Sequence, residues 1–145
     1  MTPAIPEATP ETEGYWTALQ EGRLVARRCS ACARLHSTPR RFCLVCGSEE
    51  GRWEALPDEA VLYSFSTLGR PPPDRPYLPA PCTIAIVEFG NGHRMMALIA
   101  TDRPDDLAIG QAMRFDPWRG DGVVLPAFRP AAEAGAVHSY ILEQT

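Results

Sequence analysis

The chain opens polar and proline-rich and then breaks into short apolar runs. Residues 1–10 hold three prolines and little to bury, which predicts a loose arm. In PETEGYWTALQEGRL, Tyr15, Trp16 and Leu19 fall on one side at helical spacing. Thr12 is placed to cap that short helix and Gly22 to end it. LVARR and RWEAL then read as short strands. From residue 60 the pattern changes to alternation. AVLYSFST (60–67) puts Val61, Tyr63 and Phe65 on one face. TIAIVEF (83–89) and RMMALIAT (94–101) are joined by Asn91-Gly92, a hairpin signal. AMRFDPW (112–118) and GVVLPAF (122–128) follow. Five such strands predict a small closed barrel or sandwich. The count suits an OB-type barrel and an SH3-like barrel equally.

Two segments interrupt the alternation. GRPPPDRPYLPAP (69–81) has six prolines in thirteen residues. Proline donates nothing to a ladder, so this is a stiff loop; loops of this length inside a domain often carry function. The end of the chain, EAGAVHSYILEQT, reads as a tail whose Tyr140, Ile141 and Leu142 are suited to dock on the body or on another chain.

The chemistry concentrates in CSACARLHSTPRRFCLVC. Cys29, Cys32, Cys43 and Cys46 form two Cys-x-x-Cys pairs. Two such turns facing each other supply the tetrahedron that zinc takes in structural sites. Four thiolates leave no open position for a reacting water, so the predicted zinc is structural and His36 is surplus to the ligand count. Iron in the same place would give an electron carrier; a staple explains the cysteines without that assumption. Cys82, alone at the start of a strand, reads as a small buried hydrophobe.

Charge adds a local asymmetry. The net charge is −4, and all 14 basic residues are arginine. From Gly22 to Phe42 there are six arginines and no acid. That is a solvated face or a site for phosphates or an acidic partner. The acidic total speaks against nucleic acid as the partner. No apolar run is long enough to span a membrane. The start lacks the pattern of a secretory leader, and paired cysteines with metal spacing suit a reducing, cytoplasmic setting.

No catalytic constellation assembles. His36, His93 and His138 lie in no acid–base pattern, and Asp105-Asp106 reads as a solvated turn. There is no nucleophile elbow, P-loop or dinucleotide fingerprint. The expected catalytic set is therefore empty.

The order of pieces resembles a known family. A short aromatic helix precedes RCSACARLHSTPRRFCLVCGS, then WEAL, YSFSTL, a proline-rich loop, APCTIAIVEF, MMALIA, IGQAMRF and GVVLPAFRP. This is similar, over about residues 13–130, to the acyl-CoA-associated family with a rubredoxin-like zinc ribbon and an OB-fold. The resemblance implies a mainly β protein: arm and helix over 1–22, zinc ribbon over 23–50, five-stranded OB-fold barrel over 51–130, and tail over 131–145. It implies a non-catalytic subunit in a hetero-oligomer with a thiolase-like enzyme, where it shapes or bridges an acyl-CoA or other acyl-donor site. Arg40, Arg41 and Arg70 are then candidates for CoA phosphates or for the partner's acids, since guanidinium matches phosphate in bidentate geometry. The competing readings are a nucleic-acid-binding module and a small stand-alone acyl-CoA-binding protein. One departure is visible: Ala33 follows the first knuckle where the family often has glycine, which places strain there without removing a ligand.

Overall fold

A computed structural model describes residues 5–38 and 40–133. The expected docking of Tyr140, Ile141 and Leu142, and His138 with them, lie outside the described residues. The described residues divide into two compact units, one within 7–57 and one built from residues 5–6 and 58–133.

The first unit begins with helix α1 (Glu13–Gln20). Thr12 stands at its N-cap but makes no side-chain cap bond. Its Oγ1 instead accepts from the amide of Thr9 at 2.8 Å, so the expected side-chain cap is replaced by a turn before the helix. At the other end Gly22 has φ +81°, and the amides of Gly22 and Arg23 donate to Leu19 and Ala18. That is a Schellman closure, which needs a left-handed residue where Gly22 stands. The helix buries Tyr15, Ala18 and Leu19. Strands β1 (Val25–Cys29), β2 (Leu35–His36) and β3 (Gly51–Ala55) form an antiparallel sheet in the order β2-β1-β3. The RWEAL segment thus belongs to the ribbon's sheet, paired residue for residue with β1. Arg28 on β1 holds Glu54 on β3 through two hydrogen bonds of 2.9 and 2.5 Å, which keeps the Glu54 carboxyl below its usual range.

The second unit holds the barrel. β4 (Glu59–Leu68), β5 (Cys82–Glu88), β6 (Arg94–Ile99) and β7 (Ala112–Phe115) follow the predicted strands. The Asn91-Gly92 turn forms as expected, with Gly92 at φ +85° and its amide on Phe89. The last predicted strand does not form as one piece. β8 (Trp118–Gly120) and β9 (Val123–Leu125) make a separate hairpin, and β10 (Ala127–Pro130) alone joins the barrel. Pro126 stands at that break, where a proline cannot donate to a ladder. β10 runs parallel to β6 and antiparallel to β7, which closes the order β10-β6-β5-β4-β7 into an OB-type barrel.

Leu62, Val87, Met113 and Phe128 are fully buried. Phe128 meets Phe89 and Phe115 edge to face, at ring distances of 6.0 and 5.6 Å. A second apolar cluster holds Tyr77, Leu78, Leu98, Trp118, Val123 and Ala127. The proline-rich loop is therefore anchored, with Tyr77 and Leu78 both buried. Cys82 is fully buried in the same cluster, and burial pushes its thiol up, as expected of a small hydrophobe. Among the described residues no helix is long and apolar enough to cross a membrane.

Candidate metal centre and ribbon surface

Two knuckles build the site from matching hydrogen bonds. In the first, the Ala33 amide donates to the Cys29 carbonyl and the Cys29 amide to the Arg34 carbonyl, both at 2.9 Å. In the second, Gly47 donates to Cys43 at 2.9 Å and Cys43 to Ser48 at 2.8 Å. Each turn ends on a left-handed residue, Ala33 at φ +64° and Gly47 at φ +79°. The strain anticipated at Ala33 is thus present, because a Cβ disfavours that region. Ala33→Gly is expected to stabilise the zinc-loaded protein by about 0.5–1 kcal/mol, after the loss of chain entropy at glycine is subtracted. A thermal melt against the parent protein checks this.

The turns bring four sulfurs together. The Sγ atoms of Cys29, Cys32, Cys43 and Cys46 all lie within 4.8 Å of one another. Cys29 to Cys46 and Cys32 to Cys43 are each 3.6 Å apart. A tetrahedron with metal–sulfur bonds of about 2.3 Å puts its sulfurs about 3.8 Å apart, so this spacing fits zinc. Ionisation in the cluster is split. Cys43 is lowered to about 5 by the amides of Cys46 and Val45, with His36 adding to it. At Cys46 the Ser48 amide also favours the thiolate, but hydrogen bonding with Cys29, burial and the other thiols outweigh it and push that group up to about 12. Four like charges at this spacing ionise together only around a cation. The donor set therefore fits the structural zinc of a rubredoxin-like ribbon.

His36 is not idle. Its Nε2 lies 3.3 Å from Cys43 Sγ, in a position to hydrogen-bond a metal-bound thiolate. The sequence shows His36 beside the cysteines; its contact with Cys43 depends on β2 folding back on β1.

The arginine candidates part ways. Arg40 and Arg41 border one small concavity with Arg27, His36 and Phe42. Arg41 is already engaged, 2.8 Å from Glu49 and 5.4 Å above the Phe42 ring. Arg40 has no ion pair among the described residues. Arg70 is exposed at the start of the proline-rich loop in the other unit. The residues missed by sequence reasoning are apolar. Phe42, Leu44 and Val45, on and between the second pair of cysteines, are 52%, 67% and 60% exposed. Their signal was in the sequence: FCLVC places three large apolar residues in a turn too short to bury them.

A tetrathiolate ribbon followed by a closed OB barrel defines a two-part zinc-ribbon protein. Residues 16–50 match the family model of the ChsH2 rubredoxin-like zinc ribbon domain, and residues 53–116 match that of the ChsH2 C-terminal OB-fold domain. The chain belongs to this ribbon-plus-OB-fold family. A curated relative, the probable enoyl-CoA hydratase alpha subunit of Thermomonospora curvata, is 31% identical over 118 residues. That match covers 81% of this chain and 36% of the relative, so the chain spans about a third of that protein's length. Among solved structures, a chain of the Ltp2-ChsH2(DUF35) aldolase superposes with TM-score 0.75 at 29% identity, over 87% of this chain and 98% of that one. A DUF35-family protein of unknown function from Sulfolobus solfataricus shares the fold, with TM-score 0.60 and 17% identity over 85% and 87% of the two chains.

Proposed function

We propose that this chain is a non-catalytic accessory subunit that binds a thiolase-fold enzyme and helps form or bridge its acyl-CoA or acyl-substrate site. The observation that carries this reading is the metal-held turn at Cys43–Cys46. It presents Phe42, Leu44 and Val45 to solvent. Rigid, exposed apolar side chains of this kind anchor protein interfaces, where a few central contacts supply most of the binding energy. The likeness to the Ltp2-ChsH2(DUF35) aldolase, at nearly the full length of that chain, supports an enzyme of that kind as the partner.

In this reading Cys29, Cys32, Cys43 and Cys46 are the zinc ligands and act only through shape. The zinc supplies the cross-link that holds the two knuckles. Arg40, Arg41 and Arg70 are the groups toward CoA phosphates or the partner's carboxylates. Arg40 and Arg70 have no competing carboxylate among the described residues. The protein works in the cytoplasm, where thiolates stay reduced for metal.

Co-expression with a thiolase-fold enzyme of its host tests the reading. The tagged chain is expected to retain that enzyme through affinity and size-exclusion steps. Leu44→Asp is expected to weaken the complex by at least about 30-fold, the scale of a hot-spot loss. Leu44 is 67% exposed, so zinc content and melting temperature stay at the parent values. Retention unaffected by Leu44→Asp removes the turn from the interface. Turnover of acyl-CoA by the isolated chain at enzymatic rates overturns the accessory role.

A further inference from the structure

The outside of the barrel carries an apolar groove of about 420 Å³. Its lining includes Ile84 on β5, Met96 and Leu98 on β6, Leu78 of the proline-rich loop, and Leu125 at the end of β9. Ile5 and Pro6 also line it, so this part of the expected loose arm lies along the barrel. The volume falls within the roughly 300–1,000 Å³ of small-molecule sites, which are mostly apolar with few polar groups.

Three features point to a ligand. The walls are preformed. β5 and β6 pair over six consecutive positions, from Thr83 with Ile99 to Glu88 with Arg94. Leu78 and Leu98 belong to the packed cluster with Trp118 and Val123. Among the described residues the groove is also open to solvent: Met96 is 64% exposed and Ile5 54%. A methionine there adapts its shape to an irregular apolar body. Lastly, Arg75 is the one charged residue among the described residues of the lining. Its contact with the adjacent Asp74 is long, at 3.4 Å, and both side chains are well exposed. Hydrogen bonds within the loop, Arg75 amide to Pro72 and Leu78 amide to Arg75, fix its backbone at the groove. A fork of guanidinium donors held beside an apolar trough suits a carboxylate on a hydrocarbon chain.

We propose that this groove binds an amphipathic anion, with an aliphatic body along Ile84, Met96 and Leu98 and a carboxylate on Arg75. The ligand class is a medium- to long-chain aliphatic carboxylate. The inference goes beyond the accessory role, because it holds for the isolated chain and needs no partner enzyme.

Calorimetric titration of the zinc-loaded, isolated chain with decanoate and with 1-decanol tests it. Both are expected to bind saturably at one site, decanoate more tightly. Arg75→Gln is expected to weaken decanoate by about tenfold, as loss of a charged hydrogen bond does, and to leave decanol unchanged. Met96→Glu is expected to abolish both, while Met96→Leu retains both and controls for folding. Absence of saturable decanoate binding overturns the proposal. So does equal binding by Met96→Glu, or decanoate affinity indifferent to Arg75→Gln. If Met96→Glu instead releases a co-purified enzyme while decanoate never binds, the groove is a protein contact and the proposal falls. The accessory role survives that result, since capture of the enzyme is measured separately.

Discussion

Cys43→Ser is expected to abolish stoichiometric zinc binding and unfold the ribbon unit while the barrel unit keeps its structure. The ribbon's described core is small. Besides Cys29 and Cys43 it buries Tyr15, Ala18, Leu19, Leu24, Val25, Ala26 and Leu56. A unit of that size rarely holds itself together without a staple. Structural zinc contributes on the order of 10 kcal/mol to the folding of such domains, more than a core of this kind can replace. The barrel has its own closed sheet and aromatic centre, so it needs no metal. Metal analysis should fall from one zinc per chain to a small fraction, and circular dichroism should lose the ribbon's share of strand signal. A chelator should reproduce both changes in the parent protein.

Acidification should do the same, with a defined sign. Zinc holds thiolates, so protons compete with it and loading releases protons. Cys43 is the most acidic thiol, lowered to about 5, and Cys46 lies far above it at about 12. The stability that zinc confers is therefore present at neutral pH and lost as pH falls toward 5, where even Cys43 takes up a proton. Zinc release followed with a chromogenic chelator between pH 8 and 4 checks the direction.

Local patterns were legible and long-range ones were not. The knuckles could be read because each is one turn, closed by backbone bonds between residues four and five apart. Most barrel strands could be read because alternation and the Asn91-Gly92 turn are local signals. GVVLPAF was read as one strand because its apolar pattern runs through Pro126, and the pairing of Trp118 with Leu125 draws off its first half. The proline-rich loop read only as a stiff loop, since nothing local says that Tyr77 and Leu78 will pack with Leu98 and Trp118. Charge patterning placed six arginines and no acid between Gly22 and Phe42. It did not show that Arg28 is committed to Glu54 across two strands, or Arg41 to Glu49. Those pairings decide which guanidinium remains for a ligand. Gly110 in IGQ is explained only by the fold. It adopts φ +87° and donates to Leu62 on β4 at 2.7 Å, a left-handed position that other side chains resist.

Arg129 of the LPAFRP ending belongs to a part-buried ion pair, which sets the second large expectation. Arg129 lies on β10 with 4% of its surface exposed, and its Nε donates to Asp116 Oδ2 at 2.8 Å. Asp116 follows β7, and its amide donates to the Ala127 carbonyl at 2.9 Å, so the pair closes the barrel where β7 meets β10. Asp116→Ala takes the carboxylate at 2.8 Å away from a buried guanidinium. With the Asp116 side chain 27% exposed, that is expected to cost about 2–3 kcal/mol, below the scale for removing one partner of a fully buried pair. The carboxylate itself is the cause, so a change that removes both charges should behave differently. Asp116→Leu with Arg129→Met is expected to recover most of the loss, because the guanidinium no longer has to be desolvated there. Urea unfolding of the zinc-loaded proteins, followed by tryptophan fluorescence, measures both. If the double variant is as unstable as Asp116→Ala, the pair's worth lies in its hydrogen-bond geometry at the β7–β10 seam, and charge burial is not what the barrel guards against there.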